Sequence, residues 1–381
     1  MHESVKNLLV AIAILIAAFV YMADAPLLVD ERPHLAQIQA FHEGDFTLKP
    51  DVTTIPGFHY LLFGISRASG LEGKIGLRCI AFMFSILAVF IYWKLSKKPL
   101  PFLFLPLLFP FFFLLYTDVL TLVFILLGFL LVQRKQYNLA ALAAIAAILV
   151  RQSAIVWLVF LLIQAYAREQ LSIAESVKKY WLFLVGILGF GIFVILNRGV
   201  SIGDFAAHPA FQIHLGNVYF LLFLCCFLFL PSIVDRRTEV IAQLRRWPLL
   251  LAFFLLYIFT FQNTHPYNVD WTHYFIRNWL LVFFTQSIVH KVIFFIPVAI
   301  AILYLCATRL REKAFYALYP LTLLYLVPSW LIESRYYIPP ITLFLLCRKE
   351  DSSRTRWMTT VLWAAVSLVL LHGMRNDLFF P

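Results

Sequence analysis

Apolar runs recur along almost the whole chain, and their length leaves few choices of fold. They fall at roughly 5–23, 75–93, 100–116, 118–133, 138–150, 153–167, 180–196, 216–234, 248–261, 279–307, 314–332, 336–347 and 358–372. A membrane-crossing helix needs about 20 such residues, and backbone in lipid must satisfy its own hydrogen bonds. The pattern therefore predicts an all-α integral membrane protein with about 11 to 13 spans. Composition agrees: 62% of the residues are hydrophobic and 13% charged, against about half and about a quarter in soluble domains. The first run, behind Lys6, is longer than the core of a secretory signal, and Tyr21–Pro26 is a weak cleavage site, so it reads as a retained span. Cys79, Cys225, Cys226, Cys306 and Cys347 lie in or beside apolar runs without metal-ligand spacing, as small buried side chains do.

Orientation follows from the basic residues. With the N-terminus inside, the cytoplasmic turns carry Lys6; Lys94, Lys97 and Lys98; Arg134 and Lys135; Arg168, Lys178 and Lys179; Arg236, Arg237, Arg245 and Arg246; Arg309, Arg311 and Lys313; and Arg348, Lys349, Arg354 and Arg356, which is twenty of the 31 basic residues. The net charge of +11 is thus a consequence of threading, and no nucleic-acid partner is expected. The opposite side holds longer, mixed loops at 24–74, 197–215 and 262–278, with corners at 116–118, 151–152 and 333–335. Threading alone demands no such loops, so binding or chemistry is expected there. No internal repeat, low-complexity tract or soluble domain interrupts the chain, which reads as one transmembrane domain over 1–381.

The first of these loops carries Asp30-Glu31-Arg32-Pro33-His34, and Pro33 suits the first turn of a helix. His34, Gln37, Ile38 and Phe41 then follow helical spacing, which predicts a surface-lying amphipathic helix. Asp30 would precede its positive end and stay ionised. It is either a helix cap or a general base. Thr53-Thr54-Ile55-Pro56-Gly57 reads as a turn into a second interfacial helix. Tyr116-Thr117-Asp118 closes an apolar run, and Asp118 either caps a helix or faces a cavity. Arg151-Gln152 lies between two apolar segments; its guanidinium needs an anion, either a phosphate or Asp118. Gly203-Asp204 with His208 and His214 forms no recognised metal-ligand set. His265-Pro266-Tyr267, Asp270, His273-Tyr274 and Arg277, and then Glu333-Ser334-Arg335-Tyr336, repeat the mixture of charge and aromatic rings. Such aromatic residues also occur as plain interfacial belts.

In this order, Asp30-Glu31-x-x-His34-x-x-Gln37-x-Gln39, Thr53-Thr54-x-Pro56-Gly57, Tyr116-Thr117-Asp118, Arg151-Gln152-x-x-Ile155-Val156-Trp157, Gly203-Asp204-x-x-x-His208, His265-Pro266-Tyr267 with His273-Tyr274, and Glu333-x-Arg335-Tyr336 resemble the dolichyl-phosphate-glucose-dependent alpha-1,2-glucosyltransferases. The likeness spans roughly 21–340. One departure is that Asp270-Trp271-Thr272 stands before His273-Tyr274, where the family usually has an Asn-Arg pair. The loops are also more compact than in eukaryotic members, which suits a prokaryotic chain acting on a different glycan.

The resemblance implies a GT-C glycosyltransferase fold, with interfacial helices in the first outer loop, and inverting transfer of a hexose from a polyprenyl- or dolichyl-phosphate donor to a lipid-linked glycan. Asp30 or Glu31 would be the catalytic carboxylate. His34, Gln37, Tyr116, Asp118, Arg151, Gln152, Asp204, His208, His265, Tyr267, His273, Tyr274, Arg277, Glu333, Arg335 and Tyr336 would bind substrate. No Asp-x-Asp motif occurs, and no metal or cofactor is expected. The site would face the periplasm or outside from a prokaryotic plasma membrane, or the lumen of the endoplasmic reticulum. Within this fold the alternatives are a mannose or arabinose donor, or a protein acceptor. A flippase of lipid-linked sugars would instead show mid-membrane charges and related halves.

Overall fold

A computed structural model describes residues 2–169, 171–203, 212–270 and 272–381. Among these residues the chain forms twenty α-helices joined by loops and short 3-10 turns. Two isolated bridges, Phe275–Phe380 and Leu310–Arg348, are the only β-type pairings in the described residues. The helices gather into two compact units. The first comprises Met1–Leu103, Leu108–Ala206 and Arg375–Asp377; the second comprises Phe104–Leu107, Ala207–Met374 and Leu378–Pro381.

The first unit contains α1 (His2–Met22), α2 (Glu31–His42), α3 (Gly57–Ser69), α4 (Gly73–Ser96), α5 (Pro99–Leu103), α6 (Thr117–Gln133), α7 (Tyr137–Val150), α8 (Ile155–Ala167), α9 (Ile173–Lys179) and α10 (Trp181–Asn197). Helix α1 lies against α4, where Phe19 stacks on Phe82 at 4.2 Å and the Trp93 indole N–H donates to the Ser4 carbonyl at 3.0 Å. Helices α6 and α7 pack most extensively. Buried Ala140, Ala141, Ala143, Ala144 and Ala147 give α7 a small-residue face that lets neighbouring backbones approach. Loop 24–74 folds into α2 and α3, the two short helices expected there. Their apolar faces meet around Leu35, Ile38, Phe58 and Leu62.

The second unit contains α11 (Gly216–Leu228), α12 (Leu230–Asp235), α13 (Arg237–Ala242), α14 (Trp247–Thr260), α15 (Pro266–Val269), α16 (Ile276–Thr285), α17 (Ile288–Ala307), α18 (Leu318–Leu326), α19 (Ile338–Cys347) and most of α20 (Ser353–Arg375). Its centre is α11 against α17, with Phe223 stacked on Phe294 at 4.3 Å.

Among the described residues, five helical stretches are long and apolar enough to cross a membrane: Glu3–Met22, Gly73–Ser96, Arg237–Thr260, Ile288–Ala307 and Ser353–Arg375. The pair α9 and α10 qualifies together but is bent by 75°, and α6, α7, α11, α16 and the Gln152–Ala167 segment are shorter apolar helices. Two expected spans need correction. Residues 100–116 do not form one continuous helix: after α5 only a 3-10 turn, Phe109–Phe113, follows, because Pro106 and Pro110 remove donors and clash with the preceding turn. The stretch 279–307 is two helices, broken where Ser287 caps α17 by accepting from the His290 N–H at 3.3 Å. The runs 138–150 and 153–167 form the separate helices α7 and α8, which pack on each other.

Candidate active site

The acidic pair sits where α1 has ended and α2 begins. Val29 adopts φ of 43°, a left-handed conformation that a β-branched residue avoids at a cost of about 1–3 kcal/mol. Hydrogen bonds on both sides hold it there. The Leu28 N–H donates to Glu31 Oε2 at 3.0 Å, and the Asp30 N–H donates to Tyr116 Oη at 3.1 Å. The Tyr116 hydroxyl in turn donates to the Leu28 carbonyl at 3.4 Å.

The two carboxylates have different fates. Glu31 is completely buried and ion-paired with Arg78, itself completely buried. Its Oε1 accepts from Arg78 Nε at 2.9 Å and the Leu115 N–H at 2.8 Å; its Oε2 accepts from Arg78 Nη2 at 2.5 Å as well as from Leu28. Arg78 also donates to the carbonyls of Met22, Ala23, Ala25 and Pro26, placing its charge at the negative end of α1. Asp30 takes the N-cap position of α2, yet its side chain makes no capping hydrogen bond, and it is half-buried. The cap alternative is therefore positional only.

His34 follows one turn later, on the buried face of α2. Its Nδ1 lies 2.9 Å from Nε2 of His59, on α3. Burial, with His34 alongside, pushes His59 down to about 2. An unfolded histidine protonates near 6.5, so between these values the unfolded chain binds the extra proton. The contribution of His59 to stability is complete above about pH 6.5 and falls as the pH drops below it.

Gln37 fastens its own loop, donating to the Thr47 carbonyl at 3.0 Å and accepting from the Lys49 N–H at 2.7 Å. Gln152, at the corner between α7 and α8, donates to the carbonyls of Thr53 at 2.8 Å and Val200 at 3.0 Å, and accepts from the Ile55 N–H at 3.3 Å. It ties the first loop to the start of the next. Asp118, in the first turn of α6, is ion-paired with Arg151 at the end of α7. The two anions weighed for Arg151 thus include one that is present.

Gly57 explains the Pro-Gly turn. A Cβ there would lie 2.4 Å from the Leu149 carbonyl oxygen of α7, so α3 can enter beside α7 only with glycine. Gly57→Ala is expected to destabilise the unit by about 1–3 kcal/mol. A lowered thermal midpoint of the purified protein checks it, and an unchanged midpoint would show that the helices can separate at no cost.

In the second unit the polar residues form another cluster. Buried Asn217 donates to the carbonyls of Ser329 and Leu331 at 3.0 and 2.8 Å and accepts from the Glu333 N–H and Tyr337 hydroxyl at 3.1 and 3.0 Å. Asn268 pairs with both backbone groups of Ile332, and Asn278 holds the Tyr267 and Asp270 carbonyls. This ladder fixes the strand-like segment leading to Glu333, which is buried with Arg277 Nη2 at 2.9 Å and Arg335 Nε at 3.9 Å. His265 is buried, caps α15 through Nδ1 to the Tyr267 N–H at 3.0 Å, and meets the Trp330 ring edge-on at 4.7 Å. Tyr267 and His273 are exposed, and Tyr274 and Tyr336 half-buried. Asp204 and His208 lie outside the described residues.

Sequence reasoning missed Arg78, His59, Asn217, Asn268 and Asn278. Arg78 had a usable signal, since an arginine inside an apolar run requires a partner.

Fold and sites together define a polytopic, all-α membrane protein that carries buried charge near the ends of its helices. The chain belongs to the DIE2/ALG10 family, whose model matches residues 25–175 and 162–346. It is similar to the Dol-P-Glc:Glc(2)Man(9)GlcNAc(2)-PP-Dol alpha-1,2-glucosyltransferase of Drosophila melanogaster, at 27% identity with 87% of this chain and 86% of the relative covered. The protein of the same name from Mus musculus is 24% identical, with 84% and 83% covered, and that from Candida albicans 25%, with 63% and 59% covered. No solved structure matches the chain.

Proposed function

We infer that this protein is a membrane glycosyltransferase that moves glucose from dolichyl- or polyprenyl-phosphate glucose onto a lipid-linked oligosaccharide, forming an alpha-1,2 linkage. Membership of a family whose relatives bear that name supports the activity. The observation that carries the mechanism is the division of labour within the acidic pair. Both oxygens of Glu31 are occupied by four donors, whereas Asp30 makes no capping bond with its side chain and is half-buried. Asp30 is the general base, and Glu31 with Arg78 holds it in place.

In this mechanism an acceptor hydroxyl gives its proton to the Asp30 carboxylate as its oxygen attacks the anomeric carbon. The bond from that carbon to the phosphate oxygen breaks on the opposite side, so configuration inverts. The phosphate leaves as a stable anion, and its charge calls for arginines or histidines rather than an acid. Arg151, in the same unit as Asp30, is the candidate. No metal is assigned a role, because the donor is not a nucleotide sugar. The distribution of basic residues supports a site on the non-cytoplasmic face.

The test is transfer of radiolabel from dolichyl-phosphate glucose and, separately, dolichyl-phosphate mannose to a lipid-linked oligosaccharide by the purified protein. Transfer of glucose alone is expected. Transfer of mannose alone would overturn the donor assignment while leaving the reaction class in place.

A further inference from the structure

We infer that His59 is a positioning residue that locks His34 as a hydrogen-bond donor at Nε2, so that the acceptor's proton can go only to Asp30. This rests on the reading of Asp30 as the base. The argument is one of proton placement in a buried pair. His34 Nδ1 and His59 Nε2 are 2.9 Å apart, so one of them carries the shared hydrogen. His59 is completely buried, and its other ring nitrogen, Nδ1, has no hydrogen-bond partner. A neutral imidazole has one N–H and one lone pair. Were the His59 hydrogen on Nδ1, a buried N–H would lack any acceptor, the more costly kind of unsatisfied group. The hydrogen therefore sits on His59 Nε2 and is donated to His34 Nδ1.

The consequence passes to His34. Its Nδ1 lone pair is occupied, so its own hydrogen lies on Nε2. A histidine in that state has no nitrogen left to take a proton. Its Nε2 can act only as a donor. This matters because His34 stands one turn from Asp30 on α2 and edge-on to Tyr116, at 6.1 Å between rings, whose hydroxyl accepts the Asp30 N–H. An unrestrained histidine there would be a second base competing for the same proton. The ionisable groups that meet the His34 ring include His59 from α3 and Tyr116 before α6.

Three measurements test this. In protein labelled with nitrogen-15 histidine, the His34 resonances, assigned by their loss in His34→Gln, are expected to show a protonated Nε2 and a bare Nδ1. A protonated His34 Nδ1 would overturn the proposal even if no variant of His59 folded. In His59→Leu, His34 Nδ1 is released and becomes able to take a proton. The pH profile of kcat/KM should then show an added ionisation, with activity falling several-fold towards acid. His59→Gln, which keeps an N–H at the same reach, should restore the wild-type profile. Identical profiles for wild type and His59→Leu would also overturn it. Failure of the underlying Asp30 reading looks different: Asp30→Asn would remain active while the wild-type resonances still showed the bare Nδ1.

Discussion

Arg78→Met, with Glu31 left in place, is expected to destabilise the first unit by about 3–5 kcal/mol, as removal of one partner from a buried ion pair does. The cost has two sources. The Glu31 carboxylate keeps its two backbone donors, Leu28 and Leu115, but loses the cation that compensates its burial. The carbonyls of Met22, Ala23, Ala25 and Pro26 lose a shared donor at the point where α1 ends. Methionine fills much of the aliphatic volume, so packing contributes little. The measurement is the thermal midpoint of detergent-purified protein, paired with the double variant Glu31→Gln, Arg78→Met. The double variant buries no unpaired charge and is expected to recover part of the loss. A single variant as stable as wild type would mean that Glu31 is neutral in the folded protein and that the ion pair does not hold the acidic loop.

Asp30→Asn is expected to do the reverse, removing activity while sparing the fold. The turn is held by the Asp30 backbone N–H on Tyr116, which asparagine keeps. The isosteric amide has no basic oxygen for the acceptor's proton, and loss of a positioned general base costs roughly 10²–10⁴ in rate. The fall should lie in kcat, with KM little changed, and the thermal midpoint should stay at the wild-type value. Initial rates with dolichyl-phosphate glucose and a lipid-linked acceptor give the comparison. Transfer at near wild-type rate would sink the assignment of Asp30. Together the two variants separate the members of the acidic pair, since Glu31 and Arg78 are read chiefly by stability and Asp30 by rate.

These contrasts show which features are local. The two interfacial helices were legible because Pro33 and the apolar spacing of His34, Gln37, Ile38 and Phe41 act within the segment itself. The Arg151–Asp118 pair was legible as one of two options, since both residues sit at the ends of apolar runs. The break in residues 100–116 was readable in principle from its prolines, but hydropathy counts proline as no obstacle and merges a broken segment with a span. The separation of 279–307 into α16 and α17 depended on a single serine cap within an otherwise apolar stretch. Arg78 was absorbed into a span for the same reason: one charge hardly alters the mean of an apolar window.

For the acidic pair, the sequence by itself determined that two adjacent carboxylates stand at a loop-to-helix junction. That is a property of neighbours in the chain. Adjacent residues at a helix start point in different directions, and nothing local says which direction is the protein interior. Only the tertiary structure decided that, by bringing Arg78 from α4 and the Leu115 N–H onto Glu31, forty-seven and eighty-four residues away. The same distant contacts placed His59 against His34 and left its other nitrogen without a partner. A buried carboxylate must be neutralised by whatever the fold delivers, and that pairing fixed Glu31 as the member that supports the loop.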